Sequence, residues 1–319
     1  MAEEHITVAV QDDFVERQIT RAKPIQALAE LIWNGLDGDA TSVDVELKRR
    51  DLAGELSQII VYDNGDGFSR DEAKALFGNL GGSWKRTARE TARLKRQIHG
   101  QEGRGRYKAF ALGRAVEWDV CYKATDGNRS FQIKLLHGSL NDVTIADEKA
   151  TPNRSAGVIV RIGDLWRDYR LLESEDRIQD LTEIFALYLM TYQGIRISIA
   201  GTQLDPAAAI ASQATKRIAV ISDEAGLHAV DLQIIEWKAP TKRTLYLCTS
   251  NGFPVDQLET RFHVPQAFSF SAYIKSSLFE AMQTEGRVGL NGISAGWTED
   301  IFLLQRNCIG RNVGLPPSA

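Results

Sequence analysis

Residues 24–41 read PIQALAELIWNGLDGDAT. Pro24 suits the first position of a helix, where its missing N–H costs nothing. Ile25, Leu28, Ala29, Ile32 and Leu36 recur at helical spacing, so the segment reads as an amphipathic helix over 24–37. Glu30, Asn34 and Asp37 fall together on the side opposite the apolar stripe. Glu30 and Asn34 are four residues apart, which makes their side chains neighbours. Taken alone, such a polar face is most simply the solvated side of a surface helix.

Two further blocks change that reading. Residues 63–68 read DNGDGF, directly after the apolar run Ile59-Ile60-Val61. An aspartate at a strand end can accept a hydrogen bond from the exocyclic amino group of a purine. Gly65 and Gly67 would let backbone approach the ring without a side chain in the way. By itself the block is also compatible with an ordinary turn. Residues 100–110 read GQEGRGRYKAF. A glycine-rich loop entering a helix offers backbone N–H groups and the positive helix end to a phosphate. No Gly-Lys pair occurs anywhere in the chain, which excludes a Walker A loop. The Rossmann glycine spacing is absent from the loop as well.

In this order the three blocks resemble those of the GHKL ATPases, the superfamily of DNA gyrase B, the ninety-kilodalton heat-shock chaperones, histidine kinases and MutL. Glu30 to Thr41 is very similar to the N-box of MutL-type proteins. Asp63 to Gly67 matches the DxGxG box. Gly100 to Phe110 resembles the GQxGxGxYxAF segment of the chaperones, with a related version in MORC-type ATPases. The resemblance covers about residues 20–200 and implies an α+β fold, the two-layer Bergerat sandwich.

The resemblance also implies roles. Glu30 would orient or activate the attacking water, and Asn34 would be the protein ligand of Mg²⁺. Asp63 would hold the adenine amino group, Gly65 and Gly67 would shape the base pocket, and Asp37 would belong to the same nucleotide site. Gly100, Gln101, Gly103 and Gly105 would wrap the phosphates of ATP. Residues of about 78–99 would form an ATP lid, with Lys85 reaching the phosphates. Two departures stand out. The family has a threonine after a glycine in a later strand, whereas Gly157 precedes Val158 here; either that hydroxyl is absent or another glycine is the match. Glu102 also places a carboxylate inside the phosphate loop.

The rest of the chain sets bounds. Its 319 residues predict two domains, divided here into 1–206 and 207–319. The second resembles the smaller α/β transducer domain of these ATPases, with Lys238, Lys242 and Arg243 as candidate phosphate sensors. A net charge of −4 does not announce a nucleic-acid binder. Cys121, Cys248 and Cys308 lie far apart, without a disulfide framework, and the N-terminus lacks a signal-peptide pattern. The expectation is a cytoplasmic protein with no membrane segment. The resemblance further implies an ATP-dependent homodimer, with residues 1–20 as an exchanged arm, working as a clamp or switch on DNA or on a partner effector subunit. A chaperone-like ATPase and an ATP-binding module without turnover are the competing classes.

Overall fold

The computed structural model describes residues 23–50, 54–78, 90–99, 105–139, 142–223, 226–241, 243–258 and 269–284. The arm expected at 1–20, most of the lid with Lys85, Gly100, Gln101 and Gly103 of the glycine loop, and Lys242 lie outside them. The chain divides into two compact units. The first comprises residues up to Leu181 together with Gly194–Leu204, and the second comprises Thr182–Gln193 and residues from Asp205 onward.

In the first unit, helix α1 (Pro24–Asp37) is followed by β1 (Ser42–Arg49), β2 (Leu56–Asp63) and α2 (Arg70–Gly78). Then come β3 (Gly113–Ala124), β4 (Gly127–Leu136), the short β5 (Thr144–Ile145) and β6 (Lys149–Ala150), and β7 (Gly157–Leu165). Helix α3 (Glu175–Thr191), whose residues from Thr182 onward belong to the second unit, leads to β8 (Arg196–Ile199) and β9 (Thr202–Gln203). The strands form one sheet in the order β5-β4-β3-β7-β2-β1-β8-β9, with β6 on β4. Every pairing is antiparallel except β1 with β8.

Register aligns apolar side chains in rows across this sheet. Ile133 faces Trp118, Trp118 faces Val160, Val160 faces Val61, Val61 faces Val45 and Val45 faces Ile199. Because side chains alternate along a strand, the intervening residues point to the other face. There Arg161 bonds Glu117 and Asp119, and Tyr62 donates to Glu46. One face is therefore apolar and the other is laced with charge. Leu28, Ile32 and Leu36 of α1 are fully buried, as are Ala73 of α2 and Phe110. Phe77 of α2 meets Trp118 edge-on at 5.0 Å between ring centroids.

The helix expected from Gly105 is a 3-10 turn over Gly105–Ala111. With three residues per turn, positions i and i+3 eclipse. Tyr107 and Phe110 have that spacing, and both are buried. Tightening the turn lets the pair face the core together.

The second unit holds α4 (Pro206–Ala209), β10 (Ile210–Asp223), β11 (Gly226–Trp237), β12 (Thr244–Cys248), β13 (Pro254–Leu258), β14 (Phe270–Lys275) and α5 (Ser277–Thr284). Its strands order as β10-β11-β14-β12-β13, with β12 and β14 parallel. Leu245, Leu247 and Ile274 pack with Leu278, Phe279 and Met282 of α5. Tyr246, Cys248 and Tyr273 pack instead with Ala186 and Leu187 from the later half of α3. No described helix is long and apolar enough to cross a membrane.

Candidate functional site

Register explains why Asp63 is exceptional. Val120 faces both Phe131 and Val158, while Val43 faces both Asp63 and Ile197. Asp63 thus puts a carboxylate on the apolar side of the sheet, where its cross-strand neighbours are hydrocarbon. Its Oδ1 accepts from the amides of Gly65 (2.9 Å) and Val158 (3.2 Å). Among the described residues, every hydrogen bond to this carboxyl falls on Oδ1. The residue keeps a partly exposed edge. Burial pushes the carboxyl up to about 6, against the two amide donors that pull it down. The result is an acceptor fixed through Oδ1.

Gly157 is the residue beside Asp63, and the following position meets the carboxylate through its backbone N–H rather than through a hydroxyl.

The turn after Asp63 is built around close backbone approach. A Cβ at Gly65 would lie 2.5 Å from the Gly38 carbonyl oxygen. Gly67 has φ +66°, and a Cβ there would lie 2.3 Å from the Cys121 carbonyl oxygen. The Asp66 amide donates to the Gly38 oxygen at 2.8 Å, tying the turn to the end of α1.

The polar face of α1 is not a solvated one. Glu30 is 8% exposed and Asp37 is 5% exposed. Glu30 Oε1 lies 2.6 Å from Lys108 Nζ of the 3-10 turn. Asp37 Oδ1 accepts from the His99 amide at 2.9 Å, and the His99 ring stacks on Trp33 with centroids 4.4 Å apart. The described residues flanking the glycine loop on both sides, His99 and Lys108, therefore touch the same helix. Asn34, one turn beyond Glu30, is partly exposed, and its side chain makes no hydrogen bond among the described residues.

Residues 90–99, expected as the last part of a polar lid, hold a buried anchor. Arg96 is 3% exposed, and its guanidinium donates to the carbonyls of Leu36 (3.0 Å) and Ala40 (2.8 Å). A cation at carbonyls that end a helix meets the negative end of the helix dipole. Asp39, at φ +65°, accepts from the amides of Arg93 and Leu94 and sits 3.7 Å from Arg96. Arg93 also bonds Asp66 and the Asp39 carbonyl. Thus α1, the turn after β2 and the chain entering the glycine loop are fastened at one place. Sequence reasoning assigned no role to Asp39 or His99, and it placed Arg96 only within the lid. A basic residue in a polar run carries no signal of burial until its acceptors, 56 and 60 residues away in sequence, are known.

Gly105 begins the 3-10 turn. In the second unit, Lys238 donates to the Ala208 carbonyl and Arg243 lies over the Phe270 ring. A cavity of about 490 Å³ in that unit is lined by Leu187, Met190, Gln213, Gln233 and Lys275 among others. None of the residues around Asp63 lines it.

Comparison with known proteins agrees with this geometry. The profile of the family described as histidine kinase-, DNA gyrase B-, and HSP90-like ATPase matches residues 22–152. The DNA mismatch repair protein MutL of Fervidobacterium nodosum is 26% identical over 178 residues, 54% of this chain and 27% of that protein. The MutL of Thermosipho melanesiensis is 27% identical over 145 residues, 46% of this chain and 23% of that protein. The chain spans about a quarter of the length of these relatives. The mixed sheet, the α1–Asp63 junction and the family match identify the segment 22–152 as a GHKL ATPase domain, similar to that part of MutL.

Proposed function

We propose that the first unit binds ATP with Mg²⁺, hydrolyses it, and uses the nucleotide to gate association of two copies as a clamp or switch acting on DNA or a partner protein. One observation carries this reading. Asp63 is fixed through Oδ1 by two backbone amides and keeps a partly exposed edge, beside a helix whose acid and amide side chains point to the same side.

In this reading Asp63 accepts from the adenine amino group, and the backbone at Gly65 and Gly67 lies against the base. Val158 contributes only its amide, so the base is selected by one carboxylate without a neighbouring hydroxyl. Asn34 holds Mg²⁺ through its side-chain oxygen, and its lack of a partner among the described residues suits that task. Bound Mg²⁺ neutralises triphosphate charge and takes its other ligands from phosphate and water, as this ion does readily. No described group of three His, Cys, Asp or Glu side chains competes for it. Glu30 orients the attacking water. Asp37 acts indirectly, by holding the His99 amide at the entrance to the loop. Gly100, Gln101, Gly103 and Gly105 wrap the phosphates, and Lys85 approaches them from the lid.

Glu30→Ala separates turnover from binding: it should abolish phosphate release while a non-hydrolysable ATP analogue still binds. Equal turnover by variant and parent contradicts the role of Glu30. Light scattering with and without the analogue tests the gating, and an unchanged monomer mass contradicts it. Stimulation of turnover by DNA distinguishes a DNA clamp from one acting on protein.

A further inference from the structure

We infer that Lys108 is the positioning residue of the hydrolytic step, setting the carboxylate of Glu30 rather than touching the nucleotide. The inference deepens the reading above and rests on its assignment of Glu30. Lys108 Nζ lies 2.6 Å from Glu30 Oε1, a contact between residues 78 apart in the chain. The lysine side chain is 21% exposed and that of the glutamate 11%.

The lysine is held by its neighbours. Tyr107, Ala109 and Phe110 are buried on either side of it. Tyr107 donates to the Phe77 carbonyl, Trp166 Nε1 donates to the Phe110 carbonyl at 2.7 Å, and Tyr169 donates to the Ala111 carbonyl at 3.1 Å. A backbone pinned in this way offers the ammonium at a defined point beside α1.

The chemistry gives that placement a purpose. A carboxylate can orient a water as an acceptor only while its own oxygens are held in place. An ammonium at short range fixes the plane of the carboxylate through a charge-assisted hydrogen bond. Phosphoryl transfer depends more on placing the nucleophile than on a strong base, so this orientation is what the step requires. Lys108 stands three residues after Gly105, the last glycine of the segment proposed to hold phosphate.

The test compares kcat at saturating ATP and Mg²⁺ with the Kd of a non-hydrolysable ATP analogue, in the full chain. The variants are Lys108→Met, Lys108→Gln and Lys108→Arg, with Glu30→Gln as the reference. Lys108→Gln keeps a donor on Glu30 and guards against a variant that merely fails to fold. The expected result is a kcat at least about tenfold lower in the Met and Gln variants, within the range by which placed acid–base groups contribute, with Kd changed by less than about twofold. Lys108→Arg keeps the charge and restores most of the turnover. Wild-type kcat in the Met and Gln variants overturns the inference, as does a loss of analogue binding that matches the loss of kcat. Should Glu30→Gln turn over like the parent, the assignment of Glu30 itself fails and Lys108 loses its role with it. A dead Glu30→Gln beside an active Lys108→Gln sinks the inference about Lys108 alone.

Discussion

Gly35 presses against Asp63: a Cβ at position 35 would stand 2.9 Å from the Asp63 Cβ and 3.3 Å from its Cγ. The helix can lie on the strand end only because residue 35 has no side chain. Alanine is ordinarily preferred to glycine inside a helix by about 1 kcal/mol. Here the intruding methyl must displace the Asp63 side chain, which two amides hold in place. Gly35→Ala should therefore lower the melting temperature of the first unit and weaken nucleotide binding, although it improves the helix. A variant more stable than the parent, with unchanged binding, would show that the junction yields freely.

The raised Asp63 carboxyl makes a prediction with a definite sign. Its ordinary value is 3.8 and burial lifts it to about 6. Between those values the folded state holds more proton than the unfolded state, so this residue's contribution to stability falls as pH rises through the window and is constant above it. Asp63→Asn removes that slope while leaving an amide oxygen for the Gly65 and Val158 donors. The nucleotide-free variant should match or exceed wild type in stability at pH 7, by up to about 2 kcal/mol after allowing for the partly open edge. Denaturant titrations of both proteins at pH 4, 5, 6 and 7 measure the difference. A parallel pair of curves contradicts the assignment.

Arg96 should be needed for folding rather than for chemistry. It joins the carbonyl of Leu36, at the end of α1, to that of Ala40 beyond the helix, and stands beside the buried Asp39. Arg96→Met leaves Asp39 without a close guanidinium, and breaking such a buried pair costs about 3–5 kcal/mol. One guanidinium nitrogen, Nη2, meets both carbonyls, so Arg96→Lys, whose ammonium carries three donors on one nitrogen, should recover part of the loss. Urea midpoints give the answer, and a shift no larger than for a surface arginine contradicts it.

In the second unit, Trp237 Nε1 donates to Ser271 Oγ, which donates to Glu183 at 2.7 Å. Tyr273 donates to the Glu183 carbonyl. This relay fastens the later half of α3 to the sheet of its own unit. Ser271→Ala removes the acceptor of a buried indole and a donor to a buried carboxylate, a loss of about 2 kcal/mol. Unfolding followed by tryptophan fluorescence should register it, and an unchanged midpoint contradicts it.

Much of the site was legible before any coordinates. The 3.6-residue pattern of 24–37 coincides with α1, and the apolar run Ile59-Ile60-Val61 lies in β2, which ends at Asp63. Periodicity reports which side of an element is apolar, so it located both pieces. It could not tell that the polar side of α1 is covered, because the covering residues, His99 and Lys108, come from segments whose own patterns are weak. The helix expected from Gly105 turned out as a 3-10 turn, since the burial of Tyr107 with Phe110 is a tertiary demand. The later half of α3 belongs to the second unit, an assignment that only packing makes.

The central claim is that Asp63 is the base-recognition acceptor of an ATP site. Calorimetric titration of a non-hydrolysable ATP analogue with Mg²⁺ into wild type and Asp63→Asn tests it most directly. The account predicts saturable one-to-one binding to wild type, and affinity at least about tenfold weaker in the variant, where an amide donor would confront the adenine amino group. Equal affinities, or no binding to wild type, would contradict it.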